Sequence, residues 1–217
     1  MAKTGLPLRK ADKHYTYGDY RHGPEDERWE LIDGVAWNMS EGASPSRSRS
    51  DRPGPAPNRY HQGLSTHLAA IIWDYLEDKS CRVYHAPFDV LLPAFGEKEE
   101  DNVSTVVQPD LSVICDTSKL TPKGCTGAPD WIIEIISPYT SRKDMTVKFD
   151  LYQRHGVREY WIIEPAAQYI HVYLLDNEGK YPADPDVYEM YGENTMVPCT
   201  VLKGLTIDLR ELFGKSG

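Results

Sequence analysis

The run Trp131-Ile132-Ile133-Glu134-Ile135-Ile136 is the feature that most restricts how this chain folds. Its five apolar residues predict a buried strand. Glu134 stands inside it, and a buried carboxylate without a partner is costly. The fold must therefore bring Glu134 a cation, a hydrogen-bond donor or a metal ion.

The segments around this run supply an α/β frame. Upstream, Thr16 followed by Asp19 predicts a capped first helix. "WELIDGVAWNM" alternates about Asp33-Gly34, which predicts a hairpin with Glu30 on its first strand. "RYHQGLSTHLAAIIWDYLED" has helical periodicity: His61, Leu64, Leu68, Ile72 and Tyr75 share a face, with His61 at its N-terminal end. Strands are expected in "CRVYHAPFDVLLP", "STVVQPDLSVIC", "DWIIEIIS" and "REYWIIEP". The Pro- and Gly-containing "DTSKLTPKGCTGAP" reads as a loop. A helix is expected from about Ser141 to His155, stopped by Gly156. "YIHVYLLDNEGKY" starts a further strand and turn, and the tail reads as a strand and a short helix. Together these predict one domain over residues 1–217, a mixed α/β fold with a central sheet. Residues 41–58, rich in Pro, Ser and Gly and carrying Arg47, Arg49 and Arg52, read as a flexible loop: a solvated linker or a basic arm.

With 217 residues the chain is long enough for a proper core. Its net charge of -9 argues against a nonspecific DNA-coating protein while leaving room for an enzyme with a local basic groove. Cys81, Cys115, Cys125 and Cys199 show no paired spacing, so reduced thiols are expected and a zinc ribbon is not. The N-terminus lacks a signal-peptide core and no apolar run is long enough to span a membrane, which leads to a cytoplasmic expectation.

Asp110, in "QPDLSVI", is a second acid at a strand margin, since Pro109 belongs at the start or a bulge of a strand. Two acids on neighbouring strands repel unless a cation sits between them, and oxygen donors suit magnesium or manganese. On the following helix Lys148 lies four residues after Asp144 and four before Tyr152, so all three share a face, with Val147 and Leu151 on the opposing one. Lys148 is then either half of a helix-surface ion pair with Asp144 or the cation that the acids require.

The ordered set "WELIDG", His61-Gln62, Pro109-Asp110, "EIISP", "DMTVKFDLY" and "EYW" resembles the Uma-type family of restriction endonucleases, within the PD-(D/E)xK nuclease superfamily. The superfamily pattern places a lysine at position 136, where this chain has Ile136; the family's lysine corresponds to Lys148. The resemblance implies a restriction-endonuclease-like core, a central mixed β-sheet flanked by helices. It implies that Asp110, Glu134 and the Ile135 carbonyl hold one or two Mg2+ or Mn2+ ions, that Glu30 helps to position water, and that His61 and Gln62 face the scissile phosphate. Tyr152 corresponds to an aromatic beside the lysine, either at the substrate or closing the site by packing. A homodimer is also implied, since related nucleases often pair to cut both strands.

These residue types suit phosphodiester hydrolysis. A divalent ion lowers the pKa of water and offsets developing charge, and a lysine orients the attacking water. Arg47, Arg49, Arg52 and Arg59, with Arg142, Lys143 and Arg154, are candidates to hold the DNA backbone without reading sequence. The expected activity is a Mg-dependent DNA endonuclease. The alternatives are a catalytically inactive nuclease fold used for binding or assembly, and a hydrolase of small phosphoesters.

Overall fold

The computed structural model describes residues 13–23, 28–39, 59–136, 143–192 and 195–214, without the side chains of Asn38, Lys143 and Asp144. The basic segment 41–58 and Arg142 therefore lie outside the described residues.

The chain begins with α1 (Tyr17–Tyr20) and a hairpin, β1 (Trp29–Ile32) and β2 (Val35–Asn38). The backbone N–H of Thr16 donates to Asp19 Oδ2 at the start of α1, as the capping pattern predicts. Asp33 and Gly34, at φ 51° and 73°, form the two-residue turn that their sequence predicts. Helix α2 (Arg59–Tyr75) buries Leu64, Leu68 and Ile72 at the expected spacing. Then follow β3 (Arg82–His85), β4 (Asp89–Leu91), β5 (Val106–Val107), β6 (Leu111–Ile114), β7 (Leu120–Thr121), β8 (Gly124–Thr126) and β9 (Trp131–Ile135). Lys143–Lys148 winds as a π-helix and runs into α3 (Phe149–His155), which Gly156 ends at φ 80°. The chain closes with β10 (Glu159–Glu164), β11 (Tyr169–Leu174), β12 (Asp186–Glu189), β13 (Met196–Pro198), β14 (Thr206–Asp208) and α4 (Leu209–Gly214).

The expected single central sheet is two. One six-stranded sheet runs β2-β1-β5-β4-β8-β7 and the other β12-β11-β10-β9-β6-β3, with a small β13-β14 pair. Both large sheets are mixed: β4 and β8 are parallel in the first, β9 and β10 in the second, and the remaining pairs are antiparallel. The reason is local. "CRVYHAPFDVLLP" and "STVVQPDLSVIC" are each two strands, broken at Pro87 and Pro109, and at each break the chain passes from one sheet to the other. Proline removes a ladder donor, so neither run can continue as one central strand. The segment expected as a loop before Trp131 contains the β7–β8 hairpin, and the expected helix from Ser141 is a π-helix before it becomes α-helical.

The cysteine expectation is also corrected: Cys81 and Cys115 form a disulfide, while Cys125 and Cys199 are buried free thiols. Arg82 pairs with Ile114 in the β3–β6 ladder. Their neighbours Cys81 and Cys115 are thereby brought face to face, which a separation of 34 residues does not reveal. Among the described residues no helix is long and apolar enough to cross a membrane.

Alternation along the strands sorts the core. Trp131, Ile133 and Ile135 of β9 pack with Leu64, Leu68 and Ile72 of α2 and with Leu212 and Phe213 of α4. On the opposite face, Ile132 and Ile136 join Ile32, Val90 and Val107 of the first sheet and Leu151 and Tyr152 of α3. Trp29 and Leu31 face the other way, toward Tyr15 and Tyr17. Since side chains alternate with period two, Glu30 shares the Ile32 face and Glu134 shares the face of Ile132 and Ile136. The two glutamates thus enter the same inter-sheet layer, against α3.

Candidate active site

Lys148 sits between the glutamates. Its Nζ donates to Glu134 Oε1 at 2.7 Å and lies 3.1 Å from Glu30 Oε1. Its side chain is 1% exposed, and Glu30 and Glu134 are buried with it. The Tyr152 hydroxyl donates to the same Glu134 oxygen at 2.7 Å, and the backbone N–H of Gln108 donates to Glu30 Oε1 at 2.9 Å. Lys148 and Tyr152, four apart, do share a face, and that face meets Glu134. The second acid at Lys148 is Glu30 of the first sheet; the side chain of Asp144 lies outside the described residues.

Asp110 forms an adjoining, more open group. It stands immediately before β6, as Pro109 predicted. Leu111 pairs with Ile133 in the β6–β9 ladder, so Asp110 falls beside the Glu134–Ile135 end of β9. Its Oδ2 accepts the backbone N–H of Ile135 at 2.8 Å and lies 3.2 Å from His61 Nε2. Both side chains are about one-fifth exposed. Burial opposes a charged imidazole at His61, but the hydrogen bond and charge of Asp110, with the backbone of Ile135, outweigh it and raise the ring's pKa above the ordinary value. His61 reaches this point because the buried stripe of α2 begins with it.

The other expected site residues are less engaged. Gln62 and Arg59 are exposed at the start of α2. The Arg59 guanidinium donates to the Tyr60 hydroxyl and lies over its ring, 4.4 Å from the centroid. Arg154 is paired with Asp33. Sequence reasoning missed Gln108. Its amide nitrogen donates to Tyr20 and to Asp89, at 3.0 and 2.8 Å, and its amide oxygen accepts from Arg28. The signal was in "QPDLSVI", but a polar residue before proline reads as loop.

Among the described residues no group of three or more His, Cys, Asp or Glu side chains is placed to hold a metal. The oxygens that the resemblance implies for a hard cation, those of the Asp110 and Glu134 carboxylates and the Ile135 carbonyl, belong to neighbouring ends of the β6–β9 pair. Magnesium is commonly held by one or two carboxylates and otherwise by water and phosphate, so these oxygens fit it. Asp110 Oδ1 accepts no hydrogen bond among the described residues, on a side chain that solvent reaches. Two carboxylates, those of Glu30 and Glu134, share the one ammonium of Lys148, while the carboxylate of Asp110 is held by His61 and the Ile135 N–H.

Glu30 from one sheet, Glu134 from the other and Lys148 from the helical segment thus form a buried cluster, with the partly exposed Asp110–His61 pair beside it. The model of the Uma2 family, described as "Putative restriction endonuclease", matches residues 16–210, and the chain belongs to that family. A crystal structure from Anabaena variabilis, of "a putative nuclease belonging to DUF820", has the same fold. It superposes with a TM-score of 0.66 at 20% identity, covering 93% of this chain and 99% of that one. No curated protein matches the chain.

Proposed function

We propose that this chain is a metal-dependent endonuclease that hydrolyses phosphodiester bonds of DNA. The observation that carries this reading is the pairing of a buried Lys148 with Glu134, beside Asp110 at the open end of the same strand pair. Membership of the Uma2 family supports it.

In this reading Asp110, Glu134 and the Ile135 carbonyl hold Mg2+ or Mn2+. When bound, such an ion supplies Lewis-acid polarisation of the phosphate and makes water more acidic. The chain's own residues do the rest. Lys148 fixes Glu134 and Glu30, offsets their repulsion and places positive charge where water is oriented toward phosphorus. Tyr152, fully buried on Glu134, is a positioning residue rather than a substrate contact. His61 holds Asp110 and, when protonated, faces the phosphate with a positive ring. Gln62 and Arg59 extend that surface along α2. The bond to the 3′ oxygen breaks as the water oxygen attaches to phosphorus; the attacking water gives up a proton to solvent and the leaving oxygen takes one from solvent.

A second reading, a nuclease fold used for binding or assembly, draws on the lack of a three-acid metal cluster among the described residues. Supercoiled plasmid incubated with magnesium or manganese separates the two. Nicking or linearisation that is lost on chelation and in Asp110→Ala is expected. An uncut plasmid under every metal, with Asp110→Ala indistinguishable from wild type, rejects the enzyme.

A further inference from the structure

One arginine, Arg28, is singled out by neither the motif set nor the family resemblance. Arg28 is exposed, immediately before β1, and its carbonyl accepts the Met39 N–H at 2.9 Å, so its backbone is anchored to the hairpin that carries Glu30. Its Nε and Nη2 both donate to Gln108 Oε1, at 3.2 and 3.0 Å. Gln108 is held in turn by Tyr20 and Asp89 through its amide nitrogen, and its own N–H binds Glu30. Two residues further on is Asp110.

The chemistry of that clamp is informative. Arg21, Arg154 and Arg158 end on the carboxylates of Asp101, Asp33 and Asp130, which cancel much of their charge. Arg28 ends on a neutral amide oxygen. The amide fixes one edge of the guanidinium without neutralising it, and a guanidinium has five N–H donors of which this bond uses two. Arg28 is thus tied, through Gln108, to the strand start that carries the solvent-reached acid, Asp110. On a chain of net charge -9 whose site gathers carboxylates, a phosphodiester needs a fixed cation at this point to approach.

We propose that Arg28 is a substrate-binding residue that grips a phosphate of the nucleic acid at or next to the scissile bond, and that Gln108 is the positioning residue that aims it. This rests on the nuclease reading above. Arg28 supplies charge-assisted hydrogen bonds to non-bridging phosphate oxygens, and Gln108 ties that grip to Glu30 and to the strand start that carries Asp110.

The test measures binding of a fluorescein-labelled duplex, as DNA and as RNA, by anisotropy in EDTA, together with cleavage kinetics in magnesium. Arg28→Ala is expected to raise Kd and KM roughly tenfold, with a smaller change in kcat and an unchanged melting temperature. The slope of log Kd against log salt should fall by about one. Arg28→Lys restores the charge but not the fork and should recover only part of the loss. Gln108→Ala should weaken binding too, and the double variant should be little worse than Arg28→Ala, because Gln108 acts through Arg28. Wild-type cleavage with Arg28→Ala binding and cutting equally well overturns this assignment and leaves the nuclease reading standing. A wild-type chain that neither binds nor cuts either duplex overturns both.

Discussion

Lys148 is the residue on which the inter-sheet layer depends most directly. One ammonium serves Glu30 and Glu134, and none of the three side chains is more than 5% exposed. Removing one partner of a buried ionic group leaves the others charged in a poor dielectric, which typically costs about 3–5 kcal/mol. Lys148→Met is therefore expected to lower stability by an amount in that range, read as a fall in the denaturation midpoint. The double variant Lys148→Met with Glu134→Gln should recover part of it, since one buried charge is removed with its partner. If Lys148→Met unfolds at the wild-type midpoint, the lysine does not neutralise the glutamates. A hydrogen-bond count alone would not separate Lys148 from Tyr152, since both donate to Glu134 Oε1. The charge does: Tyr152→Phe removes one neutral donor from a carboxylate that keeps its ammonium, and should cost less, about 1.5–3 kcal/mol.

At the level of elements, the hairpin β1–β2 delivers both Glu30 and Arg28 to the site, and its two-residue turn sets the register. Gly34 adopts φ 73°, and a Cβ there would come within 2.1 Å of His14 Nδ1. Gly34→Ala is expected to cost about 1–2 kcal/mol for the left-handed conformation alone, with the steric conflict added to it. Melting temperature and cleavage rate should fall together, because a shifted β1 moves Glu30; a lower melting temperature with full activity would detach the turn from the site. This element was legible in the sequence because both of its determinants are local, the alternation and the Asp-Gly pair. So was α2, whose stripe carries His61 inward, and so was the Lys148–Tyr152 face. The two-sheet arrangement was not legible. The residue types mark "CRVYHAPFDVLLP" and "STVVQPDLSVIC" as strand segments, but not that Pro87 and Pro109 hand the chain to a different sheet. The Cys81–Cys115 bond and the Gln108 clamp were hidden for the same reason, since both depend on pairing between distant segments. The wide turns of Lys143–Lys148 also left no mark, because a spacing of four to Tyr152 is shared by the α-helix that follows.

Across the whole molecule the site lies where the two sheets meet, with Glu30 coming from one and Asp110 and Glu134 from the other. A divalent cation held by Asp110, Glu134 and the Ile135 carbonyl would join the start of β6 to the end of β9, and would bind the folded chain alone because the unfolded chain has no such juxtaposition. Linkage then requires stabilisation: at a concentration one hundred times Kd, about 2.7 kcal/mol. For a chain of this size 1 kcal/mol moves the melting temperature by about 2–4 °C, so saturating magnesium should raise it by about 5–10 °C. The shift should disappear in Asp110→Ala and in EDTA, whatever the starting stability of the variant. This measurement is independent of substrate, so it distinguishes a site that holds metal but awaits the right nucleic acid from a fold that has lost its metal. Equal melting curves with and without magnesium or manganese in the wild-type chain would remove the cation from the mechanism. Asp110, Lys148 and the glutamates would then be left as an internal charge network joining two sheets, which is the form that the binding-module reading takes.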